Sequence, residues 1–267
     1  MLSVPAISAF AFGAIVGSFL NVVIHRYPRE ESIVFPPSRC PHCKAPIRPY
    51  DNVPILSYFW LRGRCRDCSQ PISIRYPLVE LANALFYVAV IQRTGFSFLF
   101  LPIATIVSMI IVLIYIDADI QILPDVITIP GLAIGLGLSL IPASDLAPYL
   151  MLASSWQDAL IGAAVGAGLL SALILGYWLI RRVEGMGWGD VKMMAMIGGL
   201  LGFASVPAVM LLASVAGAMI GVPLALRHEK GMQVALPFGV FLGFATLAVL
   251  FFGHTLFALW VRFVLLP

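Results

Sequence analysis

The stretch LPIATIVSMIIVLIYIDADIQILPD, residues 101–125, is the most informative part of the sequence, because a long apolar run ends there in a cluster of carboxylates. The run from 98 to 116 is long enough to cross a hydrocarbon core of about 30 Å as a helix. Asp117 directly follows this run, and Asp119 and Asp125 come soon after it. Acidic side chains are costly beside lipid and tend to have a function. The stretch therefore predicts a membrane helix that ends in functional acids.

The composition agrees with a membrane protein over the whole chain. Of 267 residues, 61% are hydrophobic and 11% are charged, whereas a soluble domain carries about 25% charged residues. One water-soluble core cannot bury so much apolar surface, which excludes an ordinary soluble enzyme. The sequence predicts an all-α polytopic membrane protein with about eight transmembrane helices, at 4–24, 77–92, 98–116, 126–142, 158–180, 191–203, 206–226 and 236–260.

The positive charges predict the orientation and the domain limits. Nine of the 16 Lys and Arg residues lie between positions 26 and 75, in a long polar interruption. Placing this interruption in the cytoplasm puts 14 of the 16 on that side, in agreement with the positive-inside rule. The predicted parts are a first transmembrane helix at 1–24, a cytoplasmic domain at 25–76 and a transmembrane domain at 77–267. The start, MLSVPAISAF, lacks a basic n-region, which favours a retained helix over a cleaved signal peptide.

Four cysteines in the polar interruption have the spacing of a metal site. Cys40, Cys43, Cys65 and Cys68 form two CxxC motifs separated by 21 residues. Each motif supplies two thiolates on a tight turn, and two motifs complete a tetrahedral site for Zn²⁺. Two disulfides are the alternative, which a reducing cytoplasm disfavours. With four protein ligands the predicted zinc is structural, and it would fold a small cytoplasmic zinc-binding domain inserted after the first helix.

Two aspartates are candidates for acid–base chemistry. Asp117 closes one apolar run, and Asp190 in GMGWGDVK (185–192) opens another, both at the predicted cytoplasmic boundary. Two carboxylates at one site suffice for aspartyl proteolysis, because one activates water while the other donates to the scissile carbonyl. A helix end disfavours a carboxylate and a helix start favours one, so the shared proton is predicted on Asp117. Asp119 is interpreted as a solvated loop residue and Asp125 as a helix N-cap, and capping is the alternative for Asp190.

Several glycines have predicted roles in close backbone contacts. Gly131 with Gly135, and Gly162 with Gly166, stand at a spacing of four, which lets neighbouring membrane helices approach closely. The glycines of GMGWGD are interpreted as allowing a substrate strand to approach the backbone.

The chain resembles the type IV prepilin leader peptidases, a branch of the GxGD aspartyl proteases. The resemblance is carried by GSFLNVVIHRYP (17–28), CPHC (40–43), DNVPILSYFWLRGRCRDC (51–68), ISIRYPLVELANA (72–84), IDADIQILPD (116–125), EGMGWGDVK (184–192) and LPFGVFLG (236–243). It implies that Asp117 and Asp190 are the catalytic pair. It also implies cleavage of a prepilin or pseudopilin leader after a glycine, at the cytoplasmic face of a bacterial inner membrane. Such substrates belong to type IV pilus and type II secretion systems.

The resemblance implies a second activity as well. Many members of this family methylate the newly exposed amino terminus with S-adenosylmethionine, and the glycine associated with methylation corresponds to Gly63. No Gly-rich nucleotide-binding motif indicates where a methyl donor would bind. The expected partners are pilin substrates and the lipid bilayer, with no nucleic acid among them.

Other functions account for part of the same pattern. A transporter or channel could use membrane aspartates as a proton relay, but mid-span acids or an inverted repeat would be expected and neither is evident. A zinc-bearing scaffold of a secretion machine is a non-enzymatic alternative. A standalone zinc methyltransferase is another, and it would leave GMGWGD unexplained.

Overall fold

The structure is a computed structural model that describes residues 3–142, 150–182, 187–227, 236–260 and 262. Within these ranges the chain is helical and forms no β-strand, only two isolated bridges. The helices are α1 Val4–Arg26, α2 Leu56–Trp60, α3 Arg75–Thr94, α4 Phe100–Ile120, α5 Asp125–Leu138, α6 Trp156–Arg181, α7 Trp188–Leu201, α8 Val206–Arg227 and α9 Phe238–Trp260. A helix lies at each of the eight predicted runs, and the all-α prediction is confirmed.

Length and composition distinguish five of these helices from two short ones. Five of them, α1, α4, α6, α8 and α9, are long and apolar enough to cross a membrane. The helices α5 and α7 have 14 residues each and rise only about 21 Å, which is less than a hydrocarbon core. The chain is thus a multi-pass membrane protein, and the count of eight crossings stays a prediction.

The chain forms two compact units, Met1–Val112 and Leu113–Pro267. In the first unit α1 packs along α3, and two glycines of α1 make this contact close. A Cβ atom on Gly13 would lie 2.8 Å from the Cα of Ala84, and one on Gly17 would lie 2.7 Å from the Cα of Glu80. Since a larger side chain would force the helices apart, the two glycines determine how near Glu80 comes to α1.

The second unit is organised around α7, which packs against α5, α6 and α9. Ten of its 14 residues are buried. A Cβ atom on Gly162 would collide with the carbonyl oxygen of Gly198, one on Gly166 would lie 2.7 Å from that of Met194, and one on Gly135 would lie 3.0 Å from the amide nitrogen of Leu200. The predicted role of these glycines in helix contacts is confirmed, and α7 forms the core of the unit although it is short.

Candidate functional site

The four cysteines of the first unit come together as one cluster. Their sulfur atoms all lie within 4.8 Å of one another, and the Sγ atoms of Cys40 and Cys68 are 3.8 Å apart. Four sulfurs around Zn²⁺ at about 2.3 Å would be separated by about 3.8 Å. All four are free thiols, so the disulfide alternative is not what the structure adopts. The donor set and its spacing fit a tetrahedral metal ion.

The two cysteine motifs are copies of one turn. The amide of Cys40 donates to the carbonyl of Ala45, and the amide of Cys65 donates to that of Gln70, both at 2.9 Å. An isolated bridge closes each turn, between Arg39 and Pro46 in the first and between Arg64 and Pro71 in the second. The residue after the second cysteine of each turn, Lys44 or Ser69, has a positive φ. The common pattern RCxxCxxPI could have shown this repeat in the sequence. Each turn therefore holds its own pair of cysteines through its backbone hydrogen bonds.

Mutual hydrogen bonding shifts the proton affinities of the thiols. Burial raises the pKa of Cys40, but backbone hydrogen bonds at Cys43 and His42 lower it to about 7. A backbone hydrogen bond at Gln70 lowers the pKa of Cys68, whereas burial and the other three thiols raise it to about 12. Thiols at this distance compete for protons, and a bound cation would favour deprotonation of all four.

Gly63 has a structural reason to be a glycine. Its φ of +66° is rarely adopted by L side chains, and a Cβ atom there would lie 3.0 Å from the hydroxyl oxygen of Tyr58. Its amide also donates to the carbonyl of Tyr58 at 2.8 Å. Tyr58 in turn lines a cavity of about 630 Å³, enclosed by α1, α3 and the two cysteine motifs. We call this space the module cavity. A side chain at position 63 would therefore displace Tyr58 and change the wall of the cavity.

Asp117 lies in the last turn of α4, inside the second unit, and is 4% exposed. Its Oδ2 atom accepts a hydrogen bond of 3.0 Å from the amide of Val240, in the first turn of α9. A Cβ atom on Gly239 would lie 2.9 Å from the same oxygen. The glycine of LPFGVFLG thus admits the carboxylate to the start of α9, a contact that sequence reasoning missed.

Asp190 lies in the first turn of α7 and is 8% exposed. Its Oδ1 atom is buried and has no hydrogen-bond partner among the described residues. Such an oxygen is uncommon in a folded protein and is typical of a site prepared for a ligand or a reaction. Leu123 lies against both Gly189, the neighbour of Asp190, and Gly239, which contacts Asp117, with each Cβ position 3.0 Å from a Leu123 side-chain atom, so the second unit brings the two predicted acids close together.

The contacts of the pair reverse the predicted location of the shared proton. The sequence places Asp117 at the negative end of α4, which favours its neutral form. The structure adds the start of α9, whose amides at Gly239 and Val240 hydrogen-bond to this carboxylate and favour its charged form. Asp190, at the start of α7, accepts a backbone hydrogen bond at Gly187 but has one oxygen without a donor among the described residues. These contacts favour the proton on Asp190, which stays a prediction.

The other acids lie outside this pair. Asp119 is exposed, as predicted, but it lies in the last turn of α4 and not in a loop. Asp125 begins α5, but Pro124 is the N-cap residue, so the capping prediction is wrong. Instead the exposed carboxylate of Asp125 accepts from Nζ of Lys192 at 2.7 Å, because both residues lie near the starts of packed helices.

The glycines of GMGWGD have different surroundings. A Cβ atom on Gly189 would lie 3.0 Å from the Cβ of Leu123, so this glycine lets α7 approach the segment between α4 and α5. One on Gly187 would have only ordinary contacts, the nearest with Oδ2 of Asp190 at 3.8 Å. Gly185 lies outside the described residues.

Comparisons with known proteins give matches over nearly the whole chain. Residues 11–94 match the bacterial Peptidase A24 N-terminal domain, and residues 104–222 match the type IV leader peptidase family. No solved structure matches.

Three relatives are each named prepilin leader peptidase/N-methyltransferase. The Aeromonas hydrophila protein is 38% identical over 92% of this chain and 90% of its own length, and the Pseudomonas putida protein is 37% identical over 94% and 91%. The Myxococcus xanthus protein is 42% identical over 81% of this chain, and the matched part covers 62% of that protein. With its paired acids and its cysteine cluster, the chain belongs to the type IV leader peptidase family.

Proposed function

We propose that this protein is a membrane aspartyl endopeptidase that removes the leader of type IV prepilins or pseudopilins after a glycine and then methylates the new amino terminus. The observation that carries the peptidase is the buried pair Asp117 and Asp190, one of whose oxygens has no partner in the described part of the chain. The relatives' name supports both steps. A transporter would not need both such a pair and a cysteine module.

In the proposed peptidase step the two acids have different roles. Asp117, whose charge is favoured by the start of α9, takes a proton from the attacking water. Asp190 carries the shared proton and donates it to the oxygen of the scissile carbonyl. Burial among helices excludes bulk water and strengthens both interactions.

The remaining parts of the proposal concern the first unit and the membrane. Cys40, Cys43, Cys65 and Cys68 would hold a structural zinc ion, which cross-links the two turns. S-adenosylmethionine, when bound, supplies an electrophilic methyl group. The proposed parts are a transmembrane helix at 1–24, a cytoplasmic zinc domain at 25–76 and a protease domain at 77–267. Eight crossings of the bacterial inner membrane would place the acids at its cytoplasmic face.

The test is a reaction of the purified, detergent-solubilised protein with a candidate prepilin and S-adenosylmethionine, followed by mass spectrometry. We expect pilin that lacks its leader and carries one amino-terminal methyl group. Omitting S-adenosylmethionine should leave cleaved, unmethylated pilin. Recovery of intact prepilin after incubation with folded, metal-loaded protein would overturn the peptidase assignment, and cleavage without methylation would overturn only the second step.

A further inference from the structure

Glu80 is a buried carboxylate that neither proposed reaction step uses. It lies on α3 and is 9% exposed. Its Oε2 atom accepts a hydrogen bond of 2.7 Å from the amide of Ile55, and the hydroxyl of Ser18 is its other partner. Both partners are neutral, and the ion pairs found among the described residues do not include Glu80. A buried carboxylate is costly unless a cation accompanies it, so Glu80 suits a ligand that brings one.

The backbone around Glu80 is held in a strained conformation. Ile55 has a φ of +64°, which is a genuine outlier for a β-branched residue. Glu80 holds the amide of this residue, and Gly17 brings α1 against the Cα of Glu80. Strain of this kind is found where a binding surface must be kept in place. The carboxylate is therefore fixed, and Ser18 beside it also lines the module cavity.

The module cavity has the size and polarity of a small-molecule site. Its volume of about 630 Å³ lies within the range of about 300–1,000 Å³ that is usual for such sites. Its wall includes Glu80 from α3, the basic side chains Arg39 and Lys44 from the first cysteine motif, and the rings of Tyr58 and Tyr76. A ligand that carries cationic and anionic groups together with a flat aromatic base would match these walls.

We propose that the module cavity binds S-adenosylmethionine with its sulfonium group facing Glu80. The proposal rests on the methyl-transfer part of the proposed function. In the transfer, the lone pair of the pilin amine forms the N–C bond, the electrons of the C–S bond stay on sulfur, and the amine loses a proton to water. Sulfur thereby changes from a sulfonium to a neutral thioether. The carboxylate of Glu80 thus attracts the sulfonium of the donor, whereas the thioether sulfur of the product, S-adenosylhomocysteine, carries no charge.

Calorimetric binding of the two compounds to the metal-loaded protein tests this charge preference without turnover. The wild type should bind S-adenosylmethionine about tenfold more tightly than S-adenosylhomocysteine, because only the first carries the sulfonium charge. Glu80→Gln should reduce the ratio to about one and leave the affinity for S-adenosylhomocysteine unchanged, since the amide oxygen still accepts from Ile55. The matched control is Glu30→Gln, at an exposed acid that does not line the cavity, and it should keep the full ratio.

Val22→Phe tests the location independently of Glu80. Val22 lines the cavity from α1, and a larger ring there should weaken both compounds about equally. Four results would each overturn the proposal. They are a wild-type ratio near one, an unchanged ratio in Glu80→Gln, equal weakening of both compounds by Glu80→Gln, and full affinity in Val22→Phe. If Glu80→Gln loses metal or leader cleavage, the variant is misfolded, and the wild-type ratio together with Val22→Phe then tests the proposal. A wild type that shows the ratio but does not methylate pilin would retain the site and refute the second step of the proposed function.

Discussion

The two units build their candidate sites in opposite ways. In the first unit the four thiols come from two short turns outside the long helices, each of which is held by its own backbone hydrogen bonds. In the second unit Asp117 and Asp190 come from two separate helices and are both buried. The cysteine site is therefore local and repeated, whereas the acid pair exists only when the helices pack. Changes in one site should leave the chemistry of the other largely intact.

The largest expected effect is the loss of leader cleavage on removal of either acid. Asp117→Asn or Asp190→Asn should reduce the cleavage rate by about 10³-fold or more, because the amide cannot take up or deliver the required proton. Rates of leader release, measured by mass spectrometry, decide this. Asp119→Asn is the control, at an exposed acid two residues from Asp117, and should stay within about threefold of wild type. Near-normal turnover in either acid variant would remove that residue from the mechanism.

The second effect separates the metal from the proteolysis. Replacing Cys40 and Cys43 together with serine removes two of four ligands, so the bound metal and methyl transfer should be lost. Cleavage should stay within about threefold, because the acids belong to the other unit. Elemental analysis of the purified protein measures the metal, and His42→Ala, in the same turn but outside the ligand cluster, should retain it. The zinc site would be contradicted if wild-type protein, purified under reducing conditions, contained no metal.

The third effect concerns the helix contact that supports the acid pair. Gly162→Ala would place a methyl group against the backbone of Gly198 and should lower the free energy of unfolding by about 1–3 kcal/mol. Gly168→Ala lies on the same helix with nothing within 4 Å of its new Cβ, and it should not destabilise the protein. Denaturant unfolding in detergent compares the two. Equal stability of both variants would show that the α6–α7 contact tolerates a shift.

A smaller effect is expected at the glycine beside Tyr58. Gly63→Ala should reduce methyl transfer by about tenfold, since the change strains a positive φ and displaces a wall of the module cavity, while cleavage is unchanged. Gly95→Ala matches it, with a φ of +62° and nothing within 4 Å of the new Cβ. Methyl incorporation into a pilin already lacking its leader measures the difference. Equal losses in both variants would point to backbone strain alone.

The smallest effect is expected at the exposed pair of Asp125 and Lys192. Asp125→Asn should change cleavage by less than about threefold and stability by less than about 1 kcal/mol, because both side chains are half exposed and solvent screens them. Lys192→Gln should have the same small effect if the ion pair is the only role of Asp125. A loss of cleavage in Asp125→Asn that Lys192→Gln does not reproduce would make Asp125 a third functional acid.

Features that depend on neighbouring residues could be predicted from the sequence. Apolar runs placed every long helix, because burial in lipid acts on each run separately. The two CxxC motifs predicted the cysteine cluster, because each turn forms from its own backbone contacts. The positions of Asp117 and Asp190 at the ends of apolar runs marked them as a possible pair. The glycines at a spacing of four indicated close helix contacts, although not which helices would meet.

The groups that surround each acid depend on helix packing and could not be predicted from the sequence. The start of α9, more than a hundred residues along the chain from Asp117, supplies an amide that favours its charge. A prediction from the end of α4 and the start of α7 could not include this donor. Nothing in the sequence distinguishes Glu80 from other residues of its apolar helix. Its contact with the strained Ile55 depends on how a loop folds against α3. The electrostatics of a buried carboxylate are determined by donors brought close in space, and their separation along the chain hides them from the sequence.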